Sequence, residues 1–181
     1  MRVIAGKAKG MQLKTPDGML TRPTADRVKE ALFSILNFDL PGTKVLDLFA
    51  GTGQLGIEAL SRGADHAVFV DEREAACALV KENLKKTGLM QQAEVYRCDY
   101  QNYLRNCKTK YNIIFLDPPY SEVFLENSLK MITEIDILQS SGIIATEYPF
   151  GKTLPESYYT CFHAKQYKYG KTVLTIFRKK N

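Results

Sequence analysis

The sequence predicts an α/β fold in which a doubly wound, mostly parallel sheet is closed by an antiparallel C-terminal hairpin. Three observations predict it. From Lys44 onward, short β-rich runs alternate with helical segments, as parallel strands joined by crossover helices do. After Pro155 two strand-like runs follow one another through Tyr169-Gly170-Lys171 with no helix between them. A chain of 181 residues at 45% hydrophobic content suffices for one α/β core and leaves little room for a second full domain.

The elements follow in order. Residues 1 to 20 are short and turn-rich, and Ala25 to Leu36 then places Val28, Ala31, Leu32, Ile35 and Leu36 on one helical face, with Thr24 as N-cap. Strands are expected at Lys44 to Phe49, His66 to Val70, Ala93 to Cys98, Tyr111 to Leu116 and Gly142 to Glu147. Helices are expected near Leu55 to Arg62, Arg73 to Thr87, Tyr100 to Asn106 and Val123 to Ile135, with Gly63 and Gly88 where C-terminal caps belong. Thr160 to Lys168 and Thr172 to Arg178 form the closing hairpin. No internal repeat, low-complexity tract or linker interrupts the chain.

Composition narrows the function. No apolar stretch approaches the roughly 20 residues of a membrane span, and the N-terminus lacks the apolar core of a secretory signal, so a cytoplasmic protein is expected. Cys77, Cys98, Cys107 and Cys161 show no CxxC spacing, and neither His66 nor His163 lies beside one of them. Buried reduced thiols are therefore expected and no metal site. With two histidines, a nucleophile–base relay of the hydrolase kind has little material. The net charge of +5 is uneven: residues 1 to 27 carry +4 and residues 165 to 181 carry +6, leaving −5 for the chain between them. Basic ends around an acidic middle fit a polyanion held at the edges of a site whose centre takes a cation, although solvated termini have the same composition.

Asp47-Leu48-Phe49-Ala50-Gly51-Thr52-Gly53-Gln54-Leu55-Gly56 stands at a strand end and opens a helix, where an open α/β sheet binds its ligand. Gly51, Gly53 and Gly56 also meet the dinucleotide fingerprint, with Asp71 20 residues after Gly51. Either reading calls for a nucleoside, and an ionised Asp71 suits the two ribose hydroxyls. The other end of the ligand separates them. Asp47 opposes a pyrophosphate but suits the cationic methionyl group of S-adenosylmethionine. Asp99, ending the next strand, is placed either to accept from an adenine amino group or to cap a helix.

Asp117-Pro118-Pro119-Tyr120 follows the fourth strand. An exocyclic base nitrogen is a poor nucleophile because its lone pair is delocalised into the ring. Asp117 and the Pro118 carbonyl would draw that pair out by accepting the amino protons, and the two prolines would hold these acceptors in place. Tyr120 would stack on the extruded base.

Together these motifs resemble those of class I methyltransferases. The whole chain resembles the bacterial 16S rRNA guanine-N2 methyltransferase family of the RsmD type, most distinctively in Arg2 to Leu13 and in Arg22-Pro23-Thr24-Ala25-Asp26-Arg27-Val28-Lys29-Glu30-Ala31-Leu32-Phe33. The resemblance implies a seven-stranded Rossmann-like sheet with a reversed final hairpin. It implies one domain over 1–181, with residues 1–20 as an N-terminal extension or hairpin before a catalytic core. It implies S-adenosylmethionine as cofactor, held by Asp47, Phe49, Gly51, Gly53, Asp71, Asp99 and Thr24, and no metal. It places Gly6 to Gly10 and Arg22-Pro23-Thr24 at the border of the cofactor and RNA site. Catalysis would fall to Asp117, Pro118, Pro119 and Tyr120. Arg22, Arg27, Lys9 and Lys171 would hold 16S rRNA of the small ribosomal subunit or its assembly intermediate, with the enzyme acting as a monomer. Lys29 stands where members often have Arg, Asp71 where many have Glu, and Gln54 where Ala is frequent.

Two other readings remain. The Asp-Pro-Pro-Tyr loop also suits adenine N6 in DNA or RNA. A non-catalytic RNA-binding or ribosome assembly factor with this fold would use Lys9, Lys14, Lys179 and Lys180 on phosphates. A protein-glutamine methyltransferase normally begins the same loop with Asn.

Overall fold

The computed structural model describes residues 1–16, 23–118, 122–151 and 162–180, with the side chains of 23–25 and 122 left aside. Seven strands form one sheet: β1 (Lys44–Asp47), β2 (His66–Asp71), β3 (Ala93–Arg97), β4 (Tyr111–Leu116), β5 (Leu138–Pro149), β6 (Phe162–Tyr169) and β7 (Thr172–Lys179). The helices are α1 (Pro23–Ile35), α2 (Gln54–Ser61), α3 (Glu74–Thr87), α4 (Tyr100–Asn106) and α5 (Glu122–Ile135). The expected class is the observed one.

Strand order is β3-β2-β1-β4-β5-β7-β6. Strands β1 to β5 pair in parallel, whereas β7 runs antiparallel to both β5 and β6 and inserts between them. The chain winds outward from β1 to β3, then returns to the middle at β4. Between β1 and β4 lies the switch point, where connecting segments leave in opposite directions and open a crevice at the carboxyl ends of the strands. Both sequence motifs leave the sheet there.

Two cores flank the sheet. On one face Phe33 of α1 and Leu36 just after it, Ile57 and Leu60 of α2, and Val80 and Leu84 of α3 pack on Val45, Phe69, Phe115 and Ala145. On the other, Leu104 of α4 and Leu125, Leu129 and Ile132 of α5 pack on Leu46, Val68, Ile114 and Ile144. The alternation of strand residues between the clusters is the two-residue period of a sheet covered on both sides. The edge strands carry charge instead: β3 exposes Glu94 and Arg97, and β6 exposes His163, Lys165 and Lys168, which blunts pairing with another chain.

Three expectations are corrected. Helix α1 starts at Pro23, so Thr24 lies in its first turn rather than capping it; proline pre-sets the helical φ and lacks only an N–H that a helix start leaves unused. Strand β5 begins at Leu138, not Gly142, because Leu138 pairs with Tyr111 across a register shift and Ser141 takes φ 59°. Of the cysteines only Cys77 is buried; Cys98 and Cys107 are half-buried, and Cys161 lies outside the described residues. Among the described residues no helix is long and apolar enough to cross a membrane.

Candidate active site

The loop after β1 is tied to both neighbouring strands: Leu48 N–H donates to the Phe115 carbonyl (3.2 Å) and Ala50 N–H to that of Val70 (2.9 Å). Gly51 and Gly53 take φ 55° and 78°, the left-handed region that other residues avoid, and Gly53 ends the turn as the N-cap of α2. Gly56 is needed for a different reason. A Cβ there would stand 2.3 Å from the Phe69 ring, so α2 lies on β2 only because the side chain is missing.

Asp47 is 1% exposed. Its Oδ2 accepts from Gly56 N–H at 3.0 Å, whereas its buried Oδ1 has no hydrogen-bond partner among the described residues. Burial, then the negative charges of Asp117 and Asp71, push its carboxyl up from 3.8 to about 7, against the pull of the Gly56 amide. An orphaned carboxylate oxygen at the crevice is a half-made site for a cation. A sulfonium or ammonium group fits it, and a pyrophosphate does not.

Asp71 is already engaged. Its Oδ2 accepts from Gly51 N–H at 2.9 Å and from Arg73 Nη2 at 3.0 Å, and its Oδ1 accepts from the Arg73 N–H and Nε, both at 3.0 Å. Burial alone would raise this carboxyl, but the Arg73 side chain and the two amides hold it below the usual carboxylate range. Asp71 therefore orients the glycine loop, and a ribose diol has to compete with the exposed Arg73 guanidinium. The sequence pattern singled out Asp71 and missed Arg73. Asp99 caps α4, its Oδ1 accepting from Asn102 N–H at 3.0 Å, so of its two readings the cap is realised in the structure.

Phe49 packs in an aromatic group with Tyr100 (centroids 5.2 Å apart) and Phe124 (6.4 Å). Sequence reasoning flagged Phe49 alone. Tyr100 and Phe124 come from the starts of α4 and α5, and only the fold brings these three segments to one edge. A flat apolar wall beside the crevice suits a purine.

Asp117 directly follows β4 and remains exposed to the open crevice, while the surrounding protein raises its carboxyl from 3.8 to about 6. At that value the group is still mostly ionised at neutral pH. Pro118 is half-buried behind it. Pro119 and Tyr120 lie outside the described residues. Glu147, near the carboxyl end of β5, was seen in the sequence only as a strand terminus. Burial and the charge of Asp117 raise its carboxyl from 4.5 to about 7, and a hydrogen bond from Thr172 opposes the shift.

The N-terminal segment is a hairpin, bridged at Arg2 and Gln12, that buries Val3, Ala8 and Leu13 against the first core. Glu58, wholly buried on α2, accepts from the amides of Ile4 (2.8 Å) and Ala5 (3.0 Å) and from Arg62 Nε (2.8 Å). Ser61 fixes the hairpin turn, accepting from Ala8 N–H at 2.9 Å, and Gly6 is so close that a Cβ would meet the Ser61 carbonyl at 1.8 Å. The hairpin thus runs along α2. Its turn, Gly6 to Gly10 with Lys9, sits at the C-terminal end of that helix, roughly 12 Å along from the glycine loop. The expected border of the cofactor site is instead made by the hairpin's ends: Asn83 Nδ2 donates to both the Lys14 carbonyl (3.1 Å) and the Thr52 carbonyl (2.9 Å).

Lys171 lies in the β6–β7 turn beside the carboxyl end of β5, where its carbonyl accepts from Phe150 N–H at 2.8 Å. Arg27 is exposed near the start of α1, and Arg22 lies outside the described residues. Some of the terminal positive charge is structural: Lys14 pairs with Glu82, Lys179 with Asp136, and Arg178 with Asp39.

Residues 1–178 match the family described as Conserved hypothetical protein 95. Ribosomal RNA small subunit methyltransferase D of Escherichia coli K12 is 34% identical over 157 residues, spanning 86% of this chain and 78% of its own length. YlbH of Bacillus subtilis 168, named provisionally as an rRNA methyltransferase, is 43% identical over 183 residues, 99% of this chain and 100% of its own. The solved structure of yhhF from Escherichia coli, described provisionally as a methyltransferase, superposes with a TM-score of 0.87 at 29% identity, covering 99% of this chain and 98% of that one.

Proposed function

The chain belongs to the conserved hypothetical protein 95 family, and on that premise we propose that it methylates small-subunit ribosomal RNA, using S-adenosylmethionine to modify the exocyclic N2 of a guanine. The observation that carries the reading is the buried Oδ1 of Asp47 at the switch point, without a hydrogen-bond partner among the described residues, with Asp117 one strand away. Relatives named as rRNA methyltransferases support the substrate class.

Asp47 would hold the cationic methionyl group, with Gly51 and Gly53 letting the backbone approach closely and Asp71 facing the ribose. Phe49 would wall the adenine, and Thr24 and Asp99, the latter from its capping position, would border the pocket. When bound, S-adenosylmethionine supplies a methyl group on a sulfonium that leaves as a neutral thioether. Asp117 and the Pro118 carbonyl accept the two amino protons of the base, which localises the nitrogen lone pair for in-line attack. After transfer, an Asp117 oxygen or water would take the proton that the base nitrogen gives up. Positioning within roughly 3 to 3.5 Å accounts for most of the acceleration. Pro119 and Tyr120, outside the described residues, would complete the motif by rigidity and by stacking on the base. Lys171, Arg27, Arg22 and Lys9 would hold the RNA backbone, with Lys171 nearest the reacting edge.

A methyl-transfer assay tests this, with labelled S-adenosylmethionine offered to unmethylated small subunits, free 16S rRNA and duplex DNA, and nucleoside analysis of the product. N2-methylguanosine from small subunits is expected; N6-methyladenine would move the acceptor to adenine. Asp117→Ala should lose transfer far more than cofactor affinity, and equal loss of both would overturn its role.

A further inference from the structure

The acidic middle of the chain resolves into a row. Asp71 on β2, Asp47 on β1, Asp117 after β4 and Glu147 on β5 stand at the carboxyl ends of four neighbouring strands. They share one face: Asp71, Asp47 and Glu147 each follow by two residues a side chain of the first core (Phe69, Val45 and Ala145), and Asp117 follows Phe115 in the same alternation. Phe115 is in register with Ala145, and Leu116 with Thr146. Asp117 leaves β4, and Glu147 continues β5, one residue beyond this last pair, close enough for the charge of Asp117 to act on the Glu147 carboxyl. Among the described residues only Asp71 of these four has a cationic partner, and no three His, Cys, Asp or Glu converge on a point that would hold a metal ion.

Asp47 faces the cofactor and Asp117 the amino group, which leaves Glu147 without a role in the reaction. Thr172 hydrogen-bonds to it, and it remains partly accessible beside Asp117. We infer that Glu147 is a base-reading residue: with Asp117 it presents two adjacent carboxylates that accept from the N1–H and the N2 amino group of the target guanine. The inference rests on the reaction proposed above and names what selects its substrate. Two neighbouring acceptors match the donor–donor Watson–Crick edge of guanine. Adenine and cytosine each place a ring-nitrogen acceptor beside their amino group, so a second carboxylate would face a lone pair and repel them.

The test uses the full-length protein and small subunits reconstituted with 16S rRNA carrying either guanine or 2-aminopurine at the modified position. 2-Aminopurine keeps the amino group but has no N1–H. Wild-type protein should favour guanine by about 5- to 150-fold in kcat/KM, the range of one lost specific base contact. Glu147→Gln, whose amide can donate to the unprotonated N1, should lose most of that preference while its S-adenosylmethionine Kd by calorimetry stays within about twofold of wild type. Thr172→Val, which removes only the supporting hydrogen bond, should keep the preference. The inference is overturned if wild-type protein methylates both bases equally, a result that does not depend on any variant folding. It is also overturned if Glu147→Gln slows both substrates by the same factor, which would mark a structural role. Absence of N2-methylguanosine from wild-type protein would refute the reaction itself, and with it the reading of its substrate edge.

Discussion

Replacing Asp47 by Asn should make the ligand-free protein more stable while removing its grip on the cofactor. The carboxyl is buried, has one unpartnered oxygen, and is raised from 3.8 to about 7. Below about pH 4 folded and unfolded chains both carry the proton, and there is no penalty. Between pH 4 and 7 the unfolded chain releases it and the folded one retains it, so stability falls as pH rises, by up to about 1.4 kcal/mol per unit. Above pH 7 both are ionised, and the accumulated cost levels off at roughly 4 kcal/mol, from a shift of about 3 units. Asn retains the acceptor for the Gly56 amide but buries an amide group with nothing to receive it, at about 1–3 kcal/mol. The net gain at pH 8 is therefore about 1–3 kcal/mol, or a rise in Tm of roughly 2–12 °C for a domain of this size. Thermal unfolding followed by circular dichroism measures it, and the advantage of the variant should grow by about 3 kcal/mol from pH 5 to pH 8. S-Adenosylmethionine affinity, measured on the same samples, should fall about 10- to 150-fold, the value of a hydrogen bond between charged groups. A variant no more stable than wild type at pH 8, or a difference that ignores pH, would refute the assignment of Asp47 as a strained, unsatisfied carboxylate.

The same group makes cofactor binding proton-linked: below about pH 7 the affinity should weaken by up to tenfold per unit as Asp47 protonates, with proton release seen by calorimetry in buffers of different ionisation enthalpy. A flat profile between pH 5.5 and 7 would count against Asp47 as the cation's partner. Glu58→Ala should cost about 3–5 kcal/mol in urea unfolding, because it strands the buried Lys29 ammonium and Arg62 together with the amides of Ile4 and Ala5; a loss below 1 kcal/mol would mean the hairpin is held by its apolar residues alone.

The sequence by itself determined the order of helices and strands, the two loops at the sheet's carboxyl edge and the closing hairpin, because period-2 and period-3.6 patterning, glycine turns and proline pairs act over a few residues. It also singled out Asp47 and Asp117 as candidates, because their neighbours in the chain mark them. Fixing their protonation took the fold, since burial and the charge of other strands shift a carboxyl. Arg73 on Asp71, the aromatic wall of Phe49, Tyr100 and Phe124, and the anchoring of the N-terminal hairpin by Glu58 depend on residues far apart in sequence, for which no local signal exists. The hairpin shows the limit best: its residues were recognisable, yet its turn lies at the far end of α2 from the glycine loop because Glu58 and Ser61 present their acceptors there. Glu147 reads in the chain as one more strand terminus. Only the parallel register of β4 and β5 sets it beside Asp117, since hydrogen bonding between strands, not sequence proximity, decides which side chains become neighbours.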